Sequence, residues 1–144
     1  MSRTIHLLNG PNLNRLGRRE PEIYGRTTLA EVEAMCRGAA GGDAIVFRQT
    51  NYEGQLVDWI HEAIDEPAAG IVINPAGLTF TSIPVLDALK MFPGPIIELH
   101  ISNIHKREAI YHRSLMSPAA TAVIAGLGAR GYATAIRSMQ DLLA

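Results

Sequence analysis

The sequence contains a single cysteine, Cys36, and therefore cannot form an internal disulfide bond. A chain without disulfides is typical of a reducing compartment, so we expect a cytoplasmic protein. No apolar run approaches the roughly 20 residues that a membrane span needs, and the N-terminus lacks a signal-peptide pattern. The sequence therefore predicts no membrane partner.

An excess of charge of either sign is also missing, because 13 basic side chains are matched by 14 acidic ones. Broad binding to nucleic acid or to anionic membranes needs a basic face, so we expect neither partner. Eleven of the basic residues are arginine, which suits planar carboxylates and buried ion pairs. A local basic patch is compatible with this charge balance.

Four of these arginines surround one tyrosine in the stretch that contains "GRREPEIYGR", residues 17–26. They are Arg15, Arg18, Arg19 and Arg26, with Tyr24 among them. Two glycines and Pro21 argue against a regular helix in this segment. For any single arginine, a solvated loop charge is the commoner interpretation, but the cluster predicts a functional loop.

Linkers, repeats and low-complexity segments are absent, and 144 residues with 47% apolar content suit one domain over residues 1–144. Short apolar runs alternate with helical patterns along the chain. Such runs are typical of strands buried on both faces of a parallel sheet. The five runs are residues 4–9, 44–49, 70–74, 95–100 and 120–126.

Helix starts can be read between these runs. Thr28 and Glu31 have the spacing of a capping box, and Ser82 is a suitable N-cap before Pro84. A last helix is expected over about residues 132–143. The alternation of strands and helices predicts a flavodoxin-like α/β fold, a doubly wound five-stranded parallel sheet with helices on both faces.

Polar residues gather where these strands end, which is where open parallel sheets bind ligands. Asn12 follows the first strand and Asn74 ends the third. Glu98 and His100 in the fourth are two residues apart, so they point to the same face and suit a positioned acid or base. With the arginine-rich loop after strand one, these residues predict a pocket at one sheet edge.

Plainer interpretations exist for several of these features. Asparagine is common in turns for its side-chain hydrogen bonds, so each one taken alone favours a structural role. "GLGAR" (126–130) lacks the full dinucleotide-binding spacing and suits a tight turn, and no P-loop occurs. Metal-ligand spacing is also absent, so we expect no metal or cofactor. The histidines outside the pocket are His6, His61, His105 and His112.

Taken together, the motifs resemble one family. "LLNGPNLNRLGRREPEIYG" is similar to the N-terminal signature of the type II 3-dehydroquinate dehydratases, the type II dehydroquinases. "RQTNYEGQLVDWIH", "INPAGLTFTSIPVLDAL", "IELHISNIHKRE" and "GLGARGYATA" follow in the family's order. The resemblance covers essentially the whole chain. It implies removal of water from 3-dehydroquinate to give 3-dehydroshikimate, without a metal or a Schiff base.

The resemblance also implies a role for the arginine-rich loop. It corresponds to a mobile lid, about residues 17–26, that carries the catalytic base Tyr24 and the essential Arg19. A tyrosine side chain ordinarily ionises near pH 10, and nearby guanidinium charge favours its phenolate form. The loop thus brings a tyrosine and its activating charge to the substrate together.

The remaining roles follow from the family's elimination of a β-hydroxyl from a ketone. Asn12 would hold the water that stabilises the enolate, and His100 would protonate the departing hydroxyl with Glu98 orienting it. The resemblance assigns the ring carboxylate to Asn74 and the backbone amides of Ile101 and Ser102. It further implies that Arg107 supports the lid, and that Asp87 reaches a neighbouring subunit in a dodecamer of four trimers.

Two positions depart from the family pattern. Phe80 replaces a histidine and Tyr111 replaces an arginine, both of which read hydroxyls on the far side of the ring. A missing polar partner in a hydroxyl site can cost several kcal/mol. Two alternatives therefore stay open: the same chemistry on a carboxylated substrate with a less polar distal half, or a flavodoxin-like binding module without catalysis.

Overall fold

A computed structural model describes residues 3–144, which form a parallel sheet of five strands. The strand order is β2-β1-β3-β4-β5, the doubly wound order that was predicted. Each of the five apolar runs in the sequence forms one strand. Their bounds are β1 Thr4–Asn9, β2 Ala44–Gln49, β3 Gly70–Asn74, β4 Ile96–His100 and β5 Ala122–Ala125.

Five α-helices connect or follow the strands in the described part of the chain. They are α1 Pro21–Tyr24, α2 Leu29–Ala40, α3 Glu53–Asp65, α4 Ile83–Met91 and α5 Gly131–Leu143. Helices α2 and α5 pack on one face of the sheet, and α3 and α4 pack on the other. Short 3-10 turns are Leu13–Arg15, Ala76–Phe80, Ile104–Lys106, Ala109–Tyr111, Ser117–Ala119 and Gly128–Arg130.

The helix caps form as the sequence predicts. The Thr28 hydroxyl accepts from the Glu31 backbone N–H, while the Glu31 carboxylate accepts from the Thr28 N–H. The buried Ser82 hydroxyl accepts from the Val85 N–H at 3.0 Å. These bonds satisfy N–H groups that a helix start leaves unpaired.

Burial on both faces holds for the central strands only. Every residue of β3 and β4 is buried. The prediction is wrong for the sheet edges, since Val123 in β5 is 47% exposed and most of β2 is only half-buried. An edge strand has a neighbouring strand on one side only, so its residues keep more contact with solvent.

The arginine-rich loop also differs from expectation, because residues Pro21–Tyr24 form one turn of α-helix. Pro21 stands at the first helical position, where its missing N–H has no intrahelical partner to lose. Gly17 starts the loop at φ 91°, and a Cβ there would lie 2.9 Å from the Arg26 carbonyl oxygen. The two ends of the loop therefore meet closely, and a larger residue at position 17 would force them apart.

Within residues 3–144, none of the helices has the length and apolar character that crossing a membrane needs.

Candidate active site

A cavity of about 200 Å³ opens beyond the carboxyl ends of β1, β3 and β4. The segments that follow β1 and β3 contact each other closely at this cavity. Gly10, after β1, donates its N–H to the Asn74 carbonyl, and a Cβ there would lie 2.4 Å from the Pro75 carbonyl oxygen. The predicted site residues that line the cavity are Asn12, Arg19, Tyr24, Asn74, Phe80, His100, Ile101, Ser102, Arg107 and Tyr111.

Positive charge surrounds the ring of Tyr24 at the mouth of the cavity. The Arg19 guanidinium lies 4.6 Å from the ring centroid, and that of Arg107 lies 5.6 Å away. Arg107 also stacks on Tyr111 at 4.0 Å. Cations at these distances are attracted to aromatic faces. Helix α1 thus presents a tyrosine whose ring lies close to two cations.

A buried imidazole–carboxylate pair lies at the end of β4, with His100 in the cavity lining and Glu98 behind it. His100 Nε2 and Glu98 Oε2 are 2.5 Å apart, with His100 5% exposed and Glu98 fully buried. Burial raises the pKa of Glu98, but hydrogen bonds from His100, Ser117 and Ser114, with the charge of His100, bring it below its ordinary value overall. An ionised carboxylate behind an imidazole suits a proton donor.

Asn74 is oriented by hydrogen bonds within a group of three buried side chains, which are Asn74, Tyr132 and Asn9. The Asn74 amide donates to the Tyr132 hydroxyl at 2.9 Å, and that hydroxyl donates to Asn9 at 2.7 Å. Burial raises the pKa of Tyr132, which keeps the phenol protonated as a donor. The Asn74 side-chain oxygen accepts from the Ala76 N–H at 3.2 Å. An amide nitrogen carries two hydrogens, so a second one is available for a ligand.

Asn12 has a left-handed backbone with φ 71°, a conformation that asparagine tolerates better than most residues. Its N–H donates to the Asn51 side-chain oxygen at 2.9 Å. Gln49 donates to that same oxygen at 3.1 Å and to the Gly10 carbonyl at 3.2 Å. The loop after β1 is therefore held by side chains at the end of β2 and just after it.

Aromatic rings cover the third side of the cavity. Phe80 meets Tyr111 edge to face with centroids 5.4 Å apart, and it lies against the His100 ring at 6.3 Å. Both departures from the expected pattern thus lie in one contact, next to the imidazole. Tyr111 offers one hydroxyl to this wall and Phe80 offers no polar atom.

The chain is similar to proteins of one family over nearly its whole length. The family described as dehydroquinase class II matches residues 3–140. A "3-dehydroquinate dehydratase 2" from Agrobacterium fabrum is 56% identical over 94% of this chain and 93% of its own length. A 3-dehydroquinate dehydratase from Cereibacter sphaeroides is 53% identical over 100% of this chain and 99% of its own.

The chain belongs to the class II dehydroquinase family. The crystal structure of the type II dehydroquinase from Propionibacterium acnes superposes with a TM-score of 0.93 at 44% identity, covering 98% of both chains. Both the family resemblance and the fold predicted from the sequence are confirmed.

Two of the predicted site residues, Glu98 and Asp87, do not line the cavity that residues 3–144 of this dehydroquinase form. Glu98 lies behind His100 and acts on the cavity only through it. Asp87 is exposed on α4, outside the pocket. His112 follows Tyr111 in the sequence, and its imidazole bonds the Arg107 carbonyl.

Several residues that hold the site residues of this dehydroquinase in place were not predicted from the sequence. Tyr132 lies in the motif "GLGARGYATA", where the sequence pattern predicts only the start of a helix. Asn51 lies in "RQTNYEG", and Ser114 and Ser117 lie in no quoted motif. Their partners are 16 or more residues away in the chain, so local patterns gave no signal for these contacts.

Proposed function

We propose that this protein removes water from 3-dehydroquinate to give 3-dehydroshikimate. The observation that carries the proposal is the shared cavity, which holds an arginine-flanked tyrosine on one wall and a carboxylate-backed histidine on another. Elimination of a β-hydroxyl from a ketone needs one group that accepts a proton and another that donates one. Relatives that carry the name 3-dehydroquinate dehydratase over the full chain support this substrate.

In the proposed reaction, Tyr24 as phenolate takes the proton next to the ketone, and the electron pair moves to the carbonyl oxygen. Asn12 holds a water that stabilises this enolate. As the enolate collapses, the carbon–oxygen bond to the hydroxyl breaks and His100 supplies the proton that makes it water. Glu98 stays ionised throughout and stabilises the imidazolium form of His100.

The ring carboxylate binds where hydrogen-bond donors converge. We assign it to the second amide hydrogen of Asn74 and to the backbone N–H groups of Ile101 and Ser102, just beyond β4. Arg107 lies between Tyr24 and Tyr111 and so connects the lid with the cavity wall.

Formation of the conjugated enone from 3-dehydroquinate, followed by absorbance, tests the proposal directly. We expect turnover by the purified protein with no added metal or cofactor. A protein that binds the substrate without producing the enone would instead support a flavodoxin-like binding module.

A second candidate, the same elimination on a carboxylated substrate with a less polar distal half, is favoured by the Phe80–Tyr111 contact. We expect the Phe80→His, Tyr111→Arg double variant to raise kcat/KM for 3-dehydroquinate by about 30- to 1000-fold, since it restores two hydroxyl partners. The single variants should combine non-additively, because the two rings touch. An unmodified protein with kcat/KM already above about 10⁴ M⁻¹s⁻¹ would exclude this candidate.

Assembly forms the last part of the proposal. Helix α4 exposes Ile83 and Met91, each 59% exposed, with Asp87 one turn from both. These residues share one helix face. An apolar face with a carboxylate at its centre suits contact with a second copy, and we propose trimers, grouped into a dodecamer, in which Asp87 completes a neighbour's pocket.

Subunit mixing tests this assembly. Sedimentation should give a mass near twelve chains, and the Asp87→Ala variant should lose activity. Co-expression of Asp87→Ala with the Tyr24→Phe variant should restore activity in about one quarter of pockets, because a neighbour with Asp87 completes a subunit with Tyr24. If Asp87 acted within its own chain, no mixture would recover activity.

A further inference from the structure

The Glu98 carboxylate is fully buried and has two hydroxyl donors besides His100. Ser114 donates to Glu98 Oε2 at 2.8 Å, and Ser117 donates to Oε1 at 2.7 Å. His100 Nε2 shares Oε2 with Ser114. A buried carboxylate without partners is costly, so these contacts decide whether it can stay ionised.

The Ser114 hydroxyl has a fixed direction. Its oxygen accepts from the backbone N–H of Met116 at 3.0 Å and of Ser117 at 3.2 Å. A hydroxyl accepts at two lone pairs and donates one hydrogen, so the hydrogen is left to point at Glu98. Ser117 is the first residue of the 3-10 turn Ser117–Ala119. Its hydroxyl donates to Glu98, and no backbone N–H of the described chain donates to it. The loop before β5 is thus shaped to present two donors to one carboxylate.

We propose that Ser114 and Ser117 are positioning residues that keep the Glu98 carboxylate ionised and turned toward His100. The inference rests on the proposed function, in which His100 delivers a proton. Donors to a carboxylate lower its affinity for protons, so the hydrogen between Glu98 and His100 stays on the imidazole. The carboxylate then stabilises the imidazolium that the leaving group needs.

The pKa of Glu98 gives the expected sign. Burial raises it, yet bonds from His100, Ser117 and Ser114 leave it below its ordinary value. Glu98 therefore stays ionised until the pH falls below that lowered pKa, where the proton donor loses its carboxylate. Removal of a serine hydroxyl raises the pKa of Glu98, so activity should begin to fall at a higher pH.

The Ser117→Ala variant is the cleaner test, because Ser114 also holds a turn. We expect the acidic limb of kcat against pH to move up by about one pH unit, and KM to stay nearly constant. A hydrogen bond to a charged group contributes about 1.5 kcal/mol, which corresponds to a pKa change of about one unit. Ser117→Thr retains a hydroxyl and should keep the wild-type limb. Ser82→Ala removes another buried serine hydroxyl, which bonds the Val85 N–H and not Glu98, and should leave the limb in place.

Stability against pH gives a second readout that needs no turnover. Because the pKa of Glu98 is lowered in the folded state, its stabilisation is present above the ordinary pKa and is lost as pH falls through the lowered one. The stability lost in Ser117→Ala should therefore be greatest at neutral pH and smaller in acid. The loss in Ser82→Ala should be the same at both.

The outcomes separate the two proposals. A Ser117→Ala variant with the wild-type acidic limb and a pH-independent stability loss would overturn the positioning role while dehydration stands. If the wild-type protein fails to dehydrate 3-dehydroquinate, the proposed function fails. The stability comparison then still decides whether the serines control ionisation of Glu98.

Discussion

Replacing Tyr24 with phenylalanine is expected to lower kcat by about 10²- to 10⁴-fold, the usual contribution of a positioned acid or base. The change removes only the phenol oxygen and leaves the ring. The contacts of Arg19 at 4.6 Å and Arg107 at 5.6 Å are made to the ring face, so they remain. Substrate binding and folding should therefore change little, and the loss should appear in kcat under saturating substrate.

Two lid arginines provide a matched comparison for this variant. Arg19 lines the cavity and covers Tyr24, whereas Arg18 is exposed and lies outside the cavity lining of the described chain. Arg19→Gln should reduce kcat strongly, because the phenolate loses its nearest cation. Arg18→Gln should have nearly wild-type kcat. If Tyr24→Phe retained more than about a tenth of the wild-type kcat, Tyr24 would not be the base.

Much of the fold could be predicted because its determinants are local. Each strand is a short apolar run, and the caps at Thr28 and Ser82 depend on residues only three positions apart. The pair Glu98 and His100 was predictable for the same reason, since alternate residues of a strand share a face. Strand ends then located the cavity, because parallel strands place their carboxyl ends at one edge.

The contacts that support the site could not be predicted in this way. Tyr132 meets Asn9 and Asn74 across 123 and 58 residues of sequence, and its partners depend on how α5 packs on the sheet. Ser114 and Ser117 lie in a loop without periodicity, yet the fold brings them to a buried carboxylate. The exposure of Val123 likewise depends on its place at the sheet edge.

Replacing His100 with alanine is expected to lower kcat by about 10²- to 10⁴-fold and also to destabilise the fold. The variant loses the proton donor for the departing hydroxyl. It also leaves the fully buried Glu98 carboxylate with the two serine hydroxyls as its remaining donors. Removing one partner of a buried ion pair costs about 3–5 kcal/mol, and we expect a loss of free energy of unfolding of this order at neutral pH.

The pH dependence of that loss identifies its cause. In the wild-type protein the pKa of Glu98 is lowered, so this residue makes the fold more stable as pH rises through the acidic range. Without His100, burial is opposed by fewer donors, and we expect the folded-state pKa of Glu98 to rise above that of the unfolded chain. Glu98 then makes the fold less stable as pH rises, so the difference between variant and wild type should shrink in acid.

Combining His100→Ala with Glu98→Gln separates stability from catalysis. The glutamine has nearly the same shape but no charge, so the buried site no longer holds an unpaired carboxylate. We expect the double variant to be more stable than His100→Ala at neutral pH, measured by urea unfolding, with kcat equally low. Recovery of activity in the double variant would contradict His100 as the acid. Stability that stays low at every pH would show that the cavity left by the imidazole, and not the charge of Glu98, causes the loss.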